Sequence, residues 1–176
     1  MKFIPARILS VLFISLFMFA GCDSTRTFQP PDTSTVPGPF DISGLEPQII
    51  TGDVQVYTVD EGEGVDEVTI RDIVDIFVTL RSENGEIIFS TYSNGSTFPS
   101  SIEVASITAT FVLSFDIRLS YSEGLRNGII GMKRNERRTL IVPPAAGFFP
   151  LAPGSLVDGF RRDTLRYDVL ITDIRN

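Results

Sequence analysis

Residues 123–144 read EGLRNGIIGMKRNERRTLIVPP, and few architectures accommodate that order of signals. Leu125, Ile129 and Met132 recur at i, i+4 and i+7, the spacing of one helical face, although Gly128 costs that helix about 1 kcal/mol relative to alanine. A basic turn follows, then a strand in which Arg138, Leu140 and Val142 alternate with their neighbours, and then Pro143-Pro144, which cannot continue a ladder. So short a helix and a single strand cannot bury their apolar sides alone. The rest of the chain has to supply a sheet.

It supplies strands by alternation. Val54, Val56 and Thr58 oppose Gln55, Tyr57 and Val59; Val74, Ile76, Val78 and Leu80 oppose Asp75, Phe77, Thr79 and Arg81. Asn84-Gly85 then offers the dipeptide of a tight hairpin. Residues 91–110 are Ser/Thr-rich and read as a loop before TFVLSFDI resumes a strand, and Leu165, Tyr167, Val169 and Ile171 mark the last one. The acidic run DEGEGVDE has some likeness to a calcium loop, but its twelfth place falls on Arg71 where a glutamate is needed, so it reads as a solvated turn. Arg134, Arg137 and Arg138 read as a solvated turn and strand edge. Several hairpin-joined strands with one helix predict an α+β fold: an antiparallel β-sheet of about five strands wrapped against one short α-helix.

The N-terminus has a different texture. Lys2 and Arg7 precede an apolar run from Ile8 to Phe19, and Ala20-Gly21 precede Cys22, the only cysteine in the chain. The run is shorter than the roughly 20 residues that span a bilayer, and it reads as a cleaved export signal over residues 1–21. It resembles a bacterial lipoprotein signal, with Phe19 where that motif prefers leucine; the resemblance implies a lipid on Cys22. An ordinary secretory signal with a stray thiol is the alternative. Residues 22–50, rich in Thr, Ser, Pro and Asp, read as a flexible tether, or alternatively as an ordered arm packed on the domain formed by residues 51–176. The expected location is the bacterial cell envelope, on its periplasmic or cell-surface side.

Composition excludes several functions. Loss of residues 1–21 takes the formal charge from −7 to −9, a surface that repels nucleic acid. No histidine and no second cysteine exist, which removes Ser-His-Asp and Cys-His arrangements and the usual zinc ligands. The expectation is no cofactor, no metal and no nucleic acid.

GMKRNERRTLIVPP, with Phe148 four residues beyond Pro144, resembles the core signature of FKBP-type peptidyl-prolyl cis-trans isomerases. VQVYTVDEGEG is similar to that family's first strand and its Gly-x-Gly turn, and TLRYDVLITDI to its last strand, so the resemblance spans residues 53–176, weakly between 90 and 110. It implies a prolyl pocket floored by Leu125, where the family has tryptophan, with Tyr121 and Ser122 at the start of the helix, Phe148 in the place of a loop tyrosine, Tyr167 on the last strand and Phe111 on an earlier one. The family's Phe-Asp pair falls on Ile88 and Phe89, or on Phe89 and Ser90. Either way the aspartate is missing.

The resemblance implies an isomerase assisting the folding of exported, proline-containing polypeptides, monomeric and membrane-tethered through Cys22. A catalytically weak or inactive binding or chaperone module on the same fold is the alternative. Imide rotation needs no nucleophile: the twisted state has lost amide resonance and gains from a dry apolar pocket. That suits a chain without histidine.

Overall fold

The computed structural model describes residues 30–104, 121–150 and 157–175. The chain divides into two units, 1–30 and 31–176, and the fold is that of the second. Export segment, Cys22, Phe111 and the expected strand at 110–117 lie outside the described residues.

The strands are β1 (Gln48–Ile50), β2 (Val54–Asp60), β3 (Glu63–Glu67), β4 (Ile73–Arg81), β5 (Ile87–Ser90), β6 (Ser100–Glu103), β7 (Lys133–Arg134), β8 (Arg137–Val142) and β9 (Leu165–Arg175), with one described α-helix, α1 (Glu123–Ile129). The main sheet runs β1-β2-β8-β9-β4-β5, with β6 also pairing β4, and its pairings are antiparallel. The expected antiparallel sheet against one short helix is therefore present, with seven strands where about five were expected. The additional strands are short: β1, Gln-Ile-Ile, lies inside the stretch read as tether, and β6, Ser-Ser-Ile-Glu, inside the stretch read as loop. Both are edge strands, recruited by pairing with β2 and β4 rather than by any periodicity of their own.

Alternation sorts the sheet's two faces. Val54, Val56, Val74, Ile76, Val78, Leu80, Leu140, Val142, Leu165, Tyr167, Val169 and Ile171 are buried on the helix side. Each fully buried aliphatic side chain among them contributes about 1.5–3 kcal/mol by leaving water. The β4–β5 turn closes with Gly85 at φ +83° donating to the Ser82 carbonyl at 3.0 Å, the conformation that glycine adopts without steric cost.

Helix α1 has only seven residues, too few to persist alone. Packing holds it. Gly124 and Gly128 face the sheet so closely that a Cβ would come within 2.3 Å of Val142 and 2.4 Å of Leu140, so the glycine that weakens the helix is what lets it dock. Arg138 is not the solvated residue that the sequence suggested: its guanidinium donates to the carbonyls of Gly128, Ile130 and Gly131 at 3.0–3.2 Å and pairs with buried Glu136 at 2.5 Å. It satisfies the helix's C-terminal carbonyls, where a cation is favoured. Arg134 pairs with Asp173, and Arg137 with Asp60 at 3.1 Å. The acidic run is likewise more than a turn, because β3 pairs with the basic β7 as a second, two-stranded sheet.

The opposite face carries a charged network crossed by the N-terminal arm. Asp168 accepts from Arg81 at 2.6 Å, from Thr139 at 2.8 Å and from Arg166 at 3.1 Å. Arg81 also donates to the Pro37 carbonyl at 2.6 Å, and Arg166 to the Phe40 carbonyl at 2.5 Å. Further out, the Asp32 amide donates to Asn94 at 2.8 Å and Thr35 to the Tyr92 carbonyl at 3.0 Å. Asp32, Thr35, Pro37 and Phe40 are thus each hydrogen-bonded to residues of the sheet or its loops.

Candidate active site

Three of the residues expected at the site, Ser122, Leu125 and Tyr167, are linked at the first turn of α1. Ser122 is the helix N-cap, in extended conformation, and its Oγ accepts the Leu125 amide at 3.1 Å. The same Oγ accepts the Tyr167 hydroxyl at 2.9 Å, so β9 and the helix start are joined through one atom. Burial pushes the Tyr167 phenol above the ordinary tyrosine range, with the bond to Ser122 pulling the other way. The ring is neutral at physiological pH. Leu125, immediately inside the helix, is fully buried.

The two prolines begin the loop that brings in Phe148. The Pro143 carbonyl accepts the amides of Ala146 and Gly147 at 3.0 Å, and the Pro144 carbonyl accepts Phe149 at 3.1 Å, which coils the chain tightly as it leaves β8. The Ala146 carbonyl then accepts the Gly124 amide at 2.8 Å and fastens the loop to α1. Phe148 ends up 1% exposed within the core cluster that contains Tyr121, Leu125 and Tyr167. Its neighbour Phe149 points outward, with the Arg161 guanidinium 5.6 Å over its ring.

Phe89 sits across from Leu80 in the β4–β5 register and packs half-buried against the same core. Ser90, next to it, faces the other side, where its Oγ lies 2.9 Å from Thr79 Oγ1. Tyr121 and Ser122 are 8% and 5% exposed. Ser122, Leu125 and Tyr167 are therefore linked at the start of α1, and Tyr121 and Phe148 are buried as they are. The two cavities described lie elsewhere: one of about 330 Å³ beside Glu63, Asp66 and Arg134, one of about 260 Å³ under the N-terminal arm. Among the described residues no group of three or more Cys, Asp or Glu is placed to hold a metal.

The family's sequence profile, described as FKBP-type peptidyl-prolyl cis-trans isomerase, matches residues 64–170, more than half the chain. The chain belongs to the FKBP-type isomerase family. Solved structures agree on the fold. A peptidyl-prolyl cis-trans isomerase from Pseudomonas syringae pv. tomato superposes with a TM-score of 0.55 at 15% identity, over 74% of this chain and 81% of that one. FkpA from Escherichia coli gives 0.55 at 18% identity, over 76% of this chain and 52% of that one. Among curated proteins no sequence relative is matched. At such identities the likeness concerns the fold, and the FKBP-type frame is what the helix, β8, the double proline and β9 have kept.

One contributor was invisible to sequence reasoning. The Ala146 carbonyl positions the loop that carries Phe148, and a backbone acceptor leaves no trace in residue type. Ser122 was named only through the family resemblance, as a position at the start of the helix.

Proposed function

We propose that this FKBP-type domain is a peptidyl-prolyl cis-trans isomerase for exported polypeptides, anchored to the cell envelope by a lipid on Cys22. The observation that supports the reading is the bond of Tyr167 to Ser122 at the start of α1, with the loop of buried Phe148 fastened to Gly124, inside the family-matched region. A prolyl ring gripped there meets aliphatic and aromatic carbon and a neutral phenol. Such a surface favours the twisted imide over the planar, charge-separated one. The barrier to be lowered is about 18–20 kcal/mol, and the unaided reaction takes about 10–100 s.

A second reading has its own support. None of Tyr121, Ser122, Leu125, Phe148 and Tyr167 is more than 8% exposed, Leu125 stands where the family has a larger floor, and Phe148 lacks a hydroxyl. These features favour a weak isomerase or a binding module on the same frame. A protease-coupled assay on a proline tetrapeptide separates the two, using the chain from residue 22 with Cys22→Ser. Catalysis above the uncatalysed rate, reduced about tenfold in Phe148→Leu, supports the isomerase. An undetectable rate with peptide binding retained defeats it.

A further inference from the structure

We propose that the outer face of the sheet, opposite α1, is a second peptide-binding site, for extended proline-containing segments of neutral or acidic character, and that Pro37–Phe40 of the chain's own arm occupies it in cis. The site is built before anything binds. Asp168, 5% exposed, holds both the Arg81 and Arg166 guanidinium groups, so their remaining donors are aimed outward without help from a ligand. Those donors take two carbonyls three residues apart, at Pro37 and Phe40. Arg137 lies 5.8 Å over the Phe40 ring, and the floor is the stacked pair Phe77–Tyr92, with centroids 4.7 Å apart and planes 11° apart.

Each part answers a property of a proline-containing strand. Such a segment is already extended before binding, so little conformational freedom is lost, and its carbonyls point outward as unpaired acceptors. Two fixed arginines read those carbonyls whatever the side chains are. The aromatic residue gains from Arg137 and from aromatic walls. Arg81, Arg166 and Arg137 against Asp168 and Asp60 also leave the groove with one net positive charge on a chain whose formal charge is −7, which selects against basic segments.

The arm is an imperfect occupant. Pro37, Gly38 and Pro39 remain exposed, a cavity of about 260 Å³ stays open beside them, and a Cβ built on Gly38 meets nothing within 4 Å. A segment with a side chain at that position meets no protein atom at its Cβ, so the groove tolerates residues other than glycine there. This inference stands apart from the isomerase reading, because it uses the other face of the sheet.

The test uses the chain from residue 22 with Cys22→Ser and a fluorescent peptide spanning residues 35–42 with Gly38→Leu, read by anisotropy. Weak binding is expected to the parent and binding at least about tenfold tighter to Phe40→Ala, in which the arm has lost its ring contact. Adding Arg137→Ala, an exposed position, should weaken it several-fold, and a saturating proline tetrapeptide should leave it unchanged. Gly38→Leu within the chain should leave Tm and binding little changed, because the added side chain meets no protein atom at its Cβ. Equal binding to parent and Phe40→Ala, displacement by the tetrapeptide, or indifference to Arg137→Ala would each overturn the proposal.

Discussion

The Tyr167 hydroxyl donates at 2.9 Å to Ser122 Oγ, and the same oxygen caps the helix by accepting the Leu125 amide. Strand, helix and the expected pocket floor share a single acceptor. Tyr167→Phe should therefore cost about 1 kcal/mol in urea unfolding, whereas Ser122→Ala, which removes cap and acceptor together, should cost about 2 kcal/mol. The double variant should lose less than the two single losses combined. Strict additivity would show that the shared atom couples nothing.

The same phenol sets an alkaline limit. An unfolded tyrosine titrates near pH 10, and burial holds Tyr167 above that, so its contribution is complete below about pH 10 and is lost as pH rises past it. Tyr92, raised by its own burial, acts in the same sense. Unfolding midpoints should fall between about pH 9.5 and 11, and less steeply in Tyr167→Phe. Equal slopes in parent and variant would rule out this origin.

Helix docking makes a prediction against propensity. Gly128→Ala ought to favour α1 by about 1 kcal/mol, but the new Cβ would lie 2.4 Å from Leu140 Cδ1. The clash should win, with a net loss of about 1–2 kcal/mol. A rise in Tm would mean that α1 sits further from β8 than described.

Across the outer face, Arg81 and Asp168 pair at 2.6 Å with side chains 8% and 4% exposed. Asp168→Ala leaves two arginines without their common partner and should cost about 3–5 kcal/mol by urea titration. The exposed Arg137–Asp60 pair should by contrast contribute less than about 1 kcal/mol.

If the isomerase reading holds, Phe148→Tyr is the informative gain. Restoring a donor worth about 1–1.4 kcal/mol in the transition state should raise kcat/KM up to about tenfold with KM little changed. A loss of activity would place Phe148 in the wall of the core rather than against substrate.

Where a segment carried its own period, the sequence was informative: β2, β4, β8, β9 and α1 alternate or recur as amphipathic elements do, and β8's end at Pro143 was readable from chemistry alone. β1, β6 and the β3–β7 pair were not, because Gln48–Ile50, Ser100–Glu103 and Glu63–Glu67 are short, polar or glycine-bearing, and only their partners make them strands. Pairing across distance was hidden too. Alternation puts Arg81 and Asp168 on one face of their strands, but nothing in either segment says that the two meet. At the site, Ser122, Leu125, Phe148 and Tyr167 could be named from the family resemblance, whereas their near-complete burial depends on packing that no local pattern encodes.

The arm's hold on the outer face also governs reach. With Asp32 fixed to Asn94, about ten residues separate Cys22 from the folded domain, and fully extended they span about 35 Å. A domain anchored through Cys22 would then work within roughly one bilayer thickness of the lipid surface. Were the arm exchanged for another segment and its bonds to Asn94 and Tyr92 released as well, the first fixed residue would become Gln48 in β1, and the same chain could extend to about 90 Å. Occupancy of one groove would thus decide how far from the membrane the domain can search for its substrates.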